Sequence, residues 1–126
     1  MPLVTLTIRR SVGTTTKNAI LNAVHESLVS VGVPLADRFQ RIIAVEDDEL
    51  RVDPIYPDLS RPRTKDFAMV EILWSVGRSV KVKRQWFEHF VAKLAASEID
   101  PENVLVVFKE TQWENWSFGG GRMLHA

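Results

Sequence analysis

Residues 4–28 read "VTLTIRRSVGTTTKNAILNAVHESL", and residues 70–94 read "VEILWSVGRSVKVKRQWFEHFVAKL". A shift of 66 residues lays one over the other without a gap. Val4, Leu6 and Ile8 fall on Val70, Ile72 and Trp74. Ile20, Leu21, Val24 and Leu28 fall on Trp86, Phe87, Phe90 and Leu94. Lys17 falls on Lys83, Val33 on Ile99 and Asp37 on Asn103. In each copy apolar residues first alternate and then switch to helical spacing, so each begins as a strand followed by a helix. In the first copy a further strand-like run, "RFQRIIAVED", follows the helix; in the second it is "VLVVFKE". The chain is therefore a β-α-β unit written twice.

One such unit has too little structure to bury its own faces. Two side by side make a four-stranded mixed sheet with both helices on one face, an α+β architecture. The opposite sheet face is left bare. An apolar bare face is a binding or aggregation surface, so the pattern predicts self-association. The repeats span residues 2–46 and 66–112 of a single domain, with a connector at 47–65 and a C-terminal aromatic and glycine segment at 113–126. Thr14 or Thr15 is placed to cap the first helix, Gly32 to end it, and Ser79 to cap the second.

The composition narrows the function. Its 126 residues are 45% hydrophobic, enough for one compact core. Sixteen basic residues balance sixteen acidic ones, which gives no broad attraction to nucleic acid or an anionic membrane. No apolar run reaches the roughly 20 residues of a membrane span, and the N-terminus lacks a signal-peptide layout. These features predict a soluble, cytoplasmic protein. Without cysteine, thiol catalysis, disulfides and thiolate metal sites are excluded. His25, His89 and His125 show no metal-ligand spacing, and the first two read as helix-surface residues. The serines lack a G-x-S-x-G setting. The three consecutive glycines 119–121 open no helix, so they are no phosphate loop. The connector, with Pro54, Pro57 and Pro62, reads as a plain link, with a lid or pocket wall as the other option.

What remains is Pro2. A proline at a strand's first position costs little, because that residue often has no ladder partner. If Met1 is removed, Pro2 becomes a free secondary amine. Such a group titrates near ~8, and a nearby cation or apolar wall lowers that value.

Four short motifs carry a resemblance that covers nearly the whole chain: "MPL" at 1–3, "GVPLADRFQ" at 32–40, "GRSVKVKR" at 77–84 and "NWSFGGGR" at 115–122. In this order, on a doubled β-α-β chain, they resemble the tautomerase superfamily of amino-terminal-proline enzymes, and most of all its malonate semialdehyde decarboxylase branch. The resemblance implies a proline nitrogen acting as general acid and base on a small keto, enol or unsaturated carboxylic acid. It implies arginine binding of the substrate carboxylate, no cofactor and no metal, and a homotrimer.

Carried over residue by residue, it implies Pro2 as acid/base, Arg78 as carboxylate anchor and Asp37 as the assisting acid. Asp37 also reads as an ordinary turn residue. Gln40, Phe39, Trp116 and Phe118 are implied to line the substrate pocket. The repeat bears on this assignment: Arg78 answers to Val12 and Pro2 to Ala68, so each half holds one element the other lacks. The decarboxylase branch has a second arginine where Val76 stands, and the cis-type dehalogenases have one where Ser75 stands. Arg9, Arg10, Arg41, Arg61 and Arg63 are the candidates to replace it. The rival readings are a hydratase, dehalogenase or decarboxylase that activates water at the same site, and a non-catalytic oligomeric protein of the same fold.

Overall fold

The computed structural model describes residues 2–123. Met1 and His125 therefore lie outside the described residues. Four strands and two long helices follow in the order β1 (Leu3–Arg9), α1 (Thr14–Ser30), β2 (Phe39–Val45), β3 (Ala68–Ser75), α2 (Val80–Ala96) and β4 (Val104–Thr111). The strand order across the sheet is β2-β1-β3-β4. β1 pairs parallel with β2 and β3 parallel with β4, while β1 and β3 are antiparallel. This is the doubled β-α-β sheet that the repeat predicts, with the two copies back to back.

Register decides which residues face the helices. Val4, Leu6 and Ile8 stand across from Ile72, Val70 and Ala68, and all six are buried. With Trp74 they form the sheet side of the core. Ile20, Val24 and Leu28 of α1 and Trp86, Phe90 and Leu94 of α2 form the helix side. The second copy is packed with rings: Trp74 stacks on Phe108 with centroids 4.7 Å apart, and Trp86 stacks on Phe90 at 4.6 Å. On the other face lie Phe39, Ile43 and Val107, each 40% exposed or more, with Leu3, Met69, Leu73 and Leu105 half-buried. The predicted bare face is thus present, crossed by the Lys109–Glu71 ion pair at 2.8 Å.

The two helices end alike. After α1, Val33 N–H donates to the Leu28 carbonyl (3.0 Å) and Gly32 N–H to that of Val29 (3.1 Å). After α2, Ile99 N–H donates to Leu94 (2.9 Å) and Glu98 N–H to Ala95 (3.0 Å). Both are Schellman closures, which need a positive φ at the residue just beyond the cap. Gly32 supplies it at +109°, and its repeat partner Glu98 adopts +59° with a side chain attached. The helix starts differ. Ser79 caps α2 as expected, accepting from Val82 N–H at 3.2 Å. The expectation of a threonine cap on α1 fails: Gly13 is the cap residue, and Thr14 and Thr15 lie inside the first turn.

His25 is a second correction. It is buried, with Nε2 2.8 Å from the Leu35 carbonyl, to which it must donate because a carbonyl only accepts. Its place at the α1 C-terminal half, over the turn before β2, turns a predicted surface residue into a tether. His89 is exposed as predicted.

The connector lies at the sheet end that carries Arg9 and the start of β4. Arg61 makes a bidentate pair with Asp100 at 2.9 and 2.8 Å. The buried Asn103 accepts from Thr64 N–H (3.0 Å) and donates to Thr64 Oγ1 (2.8 Å). Asn103 answers to Asp37 in the first copy, so equivalent turns serve opposite ends of the sheet. No helix among the described residues is long and apolar enough to cross a membrane.

Candidate active site

The N-terminal ends of β1 and β2 and the C-terminal ends of β3 and β4 meet at one edge of the molecule. Leu3 pairs with both Phe39 and Leu73, and Ser75 pairs with Thr111. Pro2 and Asp37 precede strands at this edge, Phe39 begins one, and Arg78, Trp113, Trp116 and Phe118 follow strands that end there. The connector sits at the opposite end of the sheet, packed by Arg61 on Asp100 and by Thr64 on Asn103. Pro2 is buried directly before β1.

Arg78 follows the β3–α2 turn, where Gly77 takes a φ of +117°. That conformation is open to glycine and costly for other residues. Arg78 Nη1 donates to the Ser75 carbonyl at 2.6 Å. Its guanidinium carbon lies 4.8 Å from the Trp74 ring centroid and 5.6 Å from that of Trp113. Trp113 is itself fixed by a bond from its Nε1 to the Val76 carbonyl at 3.1 Å. The cation is held between two rings with one edge tied to backbone. Burial lowers the Arg78 pKa, and the negative charges of Glu110 and Asp37 work against that fall. Arginine stays charged even so. Glu110 is also paired with Lys83 at 3.1 Å.

Asp37 stands in the turn before β2, its N–H donating to the Pro34 carbonyl at 3.0 Å. Its negative charge acts on Arg78, so the two side chains lie within electrostatic range of each other. Phe39, Phe118 and Trp116 form a ring series, with centroids 5.4 Å and then 6.0 Å apart. Gln40 faces the other way. Paired with core residue Val4, it donates from Nε2 to the Leu21 carbonyl of α1 (2.8 Å) and accepts from Arg38 Nε (3.1 Å).

The candidate second arginines are mostly committed elsewhere. Arg9 Nη2 donates to the Leu50 carbonyl (2.6 Å), Arg10 pairs with Glu46 (2.7 Å), and Arg63 Nη1 donates to the Asp53 carbonyl (2.7 Å). With Arg61 on Asp100, these four sit at the far end. Arg41 lies on the bare face, donating to Thr5 Oγ1 at 3.0 Å. The sequence reading missed Trp74 and Trp113 as the walls that hold Arg78. Sequence spacing marks Trp74 only as an apolar position shared by the two copies, and Trp113 is 35 residues downstream of Arg78. A signal existed in the repeat: the second copy puts tryptophan where the first has Ile8, just before the position that gained arginine.

A small hollow of about 290 Å³ opens beside Arg78, lined by Val31, Val76, Gly77, Val82 and Trp113. No group of three or more metal-ligating side chains occurs among the described residues. The hollow presents the Arg78 guanidinium beside an apolar lining, at the sheet end where β1 begins.

The chain is similar in sequence and in fold to known proteins. The probable tautomerase YusQ of Bacillus subtilis (strain 168) is 26% identical over 124 residues, covering 97% of this chain and 96% of YusQ. The crystal structure of FG41 malonate semialdehyde decarboxylase inhibited by 3-bromopropiolate superposes with a TM-score of 0.86 at 24% identity, covering 96% of this chain and 92% of that one. A fused 4-OT solved as a symmetric trimer gives a TM-score of 0.73 at 21% identity, covering 96% and 94%. A family model described as a tautomerase enzyme matches residues 37–119, most of the chain from the turn before β2 to the C-terminal glycines. The chain belongs to the tautomerase family.

Proposed function

We propose that this protein is a tautomerase-type isomerase or lyase acting on a small keto, enol or unsaturated carboxylic acid. Its base is the Pro2 amine, freed by removal of Met1. Arg78 holds the substrate carboxylate, and Asp37 stabilises the protonated proline. The observation that carries the reading is the guanidinium of Arg78, fixed between Trp74 and Trp113 at the sheet edge where β1 begins.

The chemistry follows from the charges. A secondary amine next to a cation, with burial around it, has a lowered pKa and is partly neutral at pH 7. The neutral nitrogen takes a proton from the carbon next to the carbonyl, and the electron pair moves onto oxygen as an enolate. The protonated nitrogen then returns the proton at another position. Arg78 neutralises the carboxylate throughout, and the field of Asp37 favours the ammonium form that carries the proton. No cofactor enters the scheme. Phe39, Trp116 and Phe118 supply an apolar wall. Gln40, tied to α1, serves by holding β2 in place.

The bare sheet face and the trimeric fused 4-OT support a homotrimer closed through that face. A cysteine-free chain that needs no disulfide fits a cytoplasmic location. A second reading, decarboxylation or hydration through activated water, draws on the close superposition with a malonate semialdehyde decarboxylase.

The test is turnover of phenylenolpyruvate by protein whose chain begins at Pro2. Ketonisation lost in Pro2→Ala supports the proposal. Turnover of malonate semialdehyde or a halo-acrylate with weak ketonisation moves it to the second reading. Absence of all three activities leaves a non-catalytic protein of this fold.

A further inference from the structure

The hollow beside Arg78 has an uneven lining. On one side stands the guanidinium. Around it are Val31 from the end of α1, Val76 and Gly77 from the β3–α2 turn, Val82 from the first turn of α2, and the Trp113 ring. Arg78 is the only ionisable side chain among them. The one polar group of Trp113, its Nε1–H, is already committed to the Val76 carbonyl. Arg78 spends one bond on Ser75, and a guanidinium has five N–H donors. A single anionic group is thus catered for, and everything next to it is apolar.

The surrounding charges reinforce this. Asp37 and Glu110 both act on Arg78, and Glu110 is matched by Lys83. Both carboxylates thus offset the charge of Arg78. A second carboxylate in the hollow would lie against valine and tryptophan carbons with no partner among them, which is costly. An apolar substituent would instead displace water from three valines and an indole ring, which is favourable. At about 290 Å³ the hollow lies at the low end of small-ligand pockets, large enough for one ring.

We propose that this hollow is a specificity subsite for monocarboxylates bearing an apolar, ring-sized substituent, and that Val82 is its specificity-determining residue. This rests on the reading of Arg78 as a carboxylate anchor. Val82 projects from the first turn of α2, where its backbone N–H meets the Ser79 cap whatever side chain it carries. A larger or charged side chain at position 82 therefore changes the hollow without removing the cap.

The experiment is equilibrium binding of two unreactive probes, 3-phenylpropionate and succinate, measured by calorimetry and by methyl NMR on the full chain. Neither probe needs turnover, so a failure of the proposed reaction and a failure of the subsite read out separately. The proposal expects 3-phenylpropionate to bind at least about tenfold more tightly than succinate, with shifts centred on the methyls of Val31, Val76 and Val82. It expects Val82→Phe to weaken 3-phenylpropionate about tenfold, and Val82→Lys to reverse the preference. Equal binding of the two probes, tighter succinate, no binding of either, or shifts away from the three valines would overturn it. The NMR shifts use the unaltered protein, so they decide the matter even if a Val82 variant does not fold.

Discussion

Replacing Arg78 with methionine separates a binding role from a structural one. The change keeps a flexible stem between Trp74 and Trp113 and removes the charge. On the structural side, it loses two cation–π contacts of about 0.5–2 kcal/mol each and a bond to the Ser75 carbonyl of about 1 kcal/mol. It regains favourable sulfur–aromatic contact with the same rings, about 0.3–1.5 kcal/mol each. It also removes a charge that burial already disfavours, since the Arg78 pKa is lowered despite Asp37 and Glu110. These contributions nearly cancel, so the net change in stability is within about 1 kcal/mol. For a chain of this size that is a Tm shift of roughly 5 °C or less. On the functional side, losing a charge-assisted contact to a carboxylate costs about 1.5–3 kcal/mol. At about 1.4 kcal/mol per tenfold, kcat/KM for phenylenolpyruvate falls about 10- to 150-fold. The assay pairs a thermal melt with steady-state ketonisation. A melt lowered by more than about 10 °C, with kcat/KM per folded molecule unchanged, would show that Arg78 is a strut between two tryptophans and refute its role as anchor.

Other consequences follow from the repeat and from the far end of the sheet. Glu98→Gly should raise stability in urea by about 0.5–1 kcal/mol, because a non-glycine residue at positive φ carries about 1–2 kcal/mol of strain, partly offset by glycine's freedom in the unfolded chain. The repeat-matched Gly32→Ala should lower it by about 1 kcal/mol or more. Asn103→Ala removes both bonds to Thr64 and should cost about 1–3 kcal/mol while leaving kcat unchanged, since the site lies at the other sheet end. The Arg61 guanidinium, bound to Asp100, holds that carboxylate below its usual pKa. The native state therefore binds this proton less readily than the unfolded chain, and the pair's contribution is present above the ordinary carboxylate pKa and lost as pH falls from there through the lowered native value. Urea melts at pH 7 and pH 3 should show a smaller acid-side loss for Arg61→Gln than for the unaltered protein, and an identical loss would contradict the linkage.

The fold was readable because the two copies test each other. Alternation in 4–8 and 70–74 and helical spacing in 20–28 and 86–94 coincide under one shift, and all four strands fall where the pattern put them. The misreadings come from partners that sequence spacing does not carry. His25 sits at a position that looks like helix surface, yet the turn before β2 folds over it and supplies the Leu35 carbonyl. The α1 cap fell to Gly13 because the chain enters that helix one residue earlier than the threonines suggested. Arg78 was legible as a candidate from the resemblance together with the asymmetry between copies, and Asp37 from the resemblance alone. The cage around Arg78 was not, because Trp113 reaches it only through the parallel register of β3 and β4. Gln40 needed register too: its pairing with Val4 turns it toward α1, a choice of face that a one-residue slip would reverse.

Everything proposed about catalysis depends on one nitrogen. Intact-mass measurement of purified protein with demonstrated ketonisation activity tests it directly. The account predicts an active chain lighter by one methionine, beginning at Pro2, whose nitrogen is a free amine. Full activity in a preparation where every chain retains Met1 would contradict it, because the nitrogen of Pro2 would then be an amide without basicity.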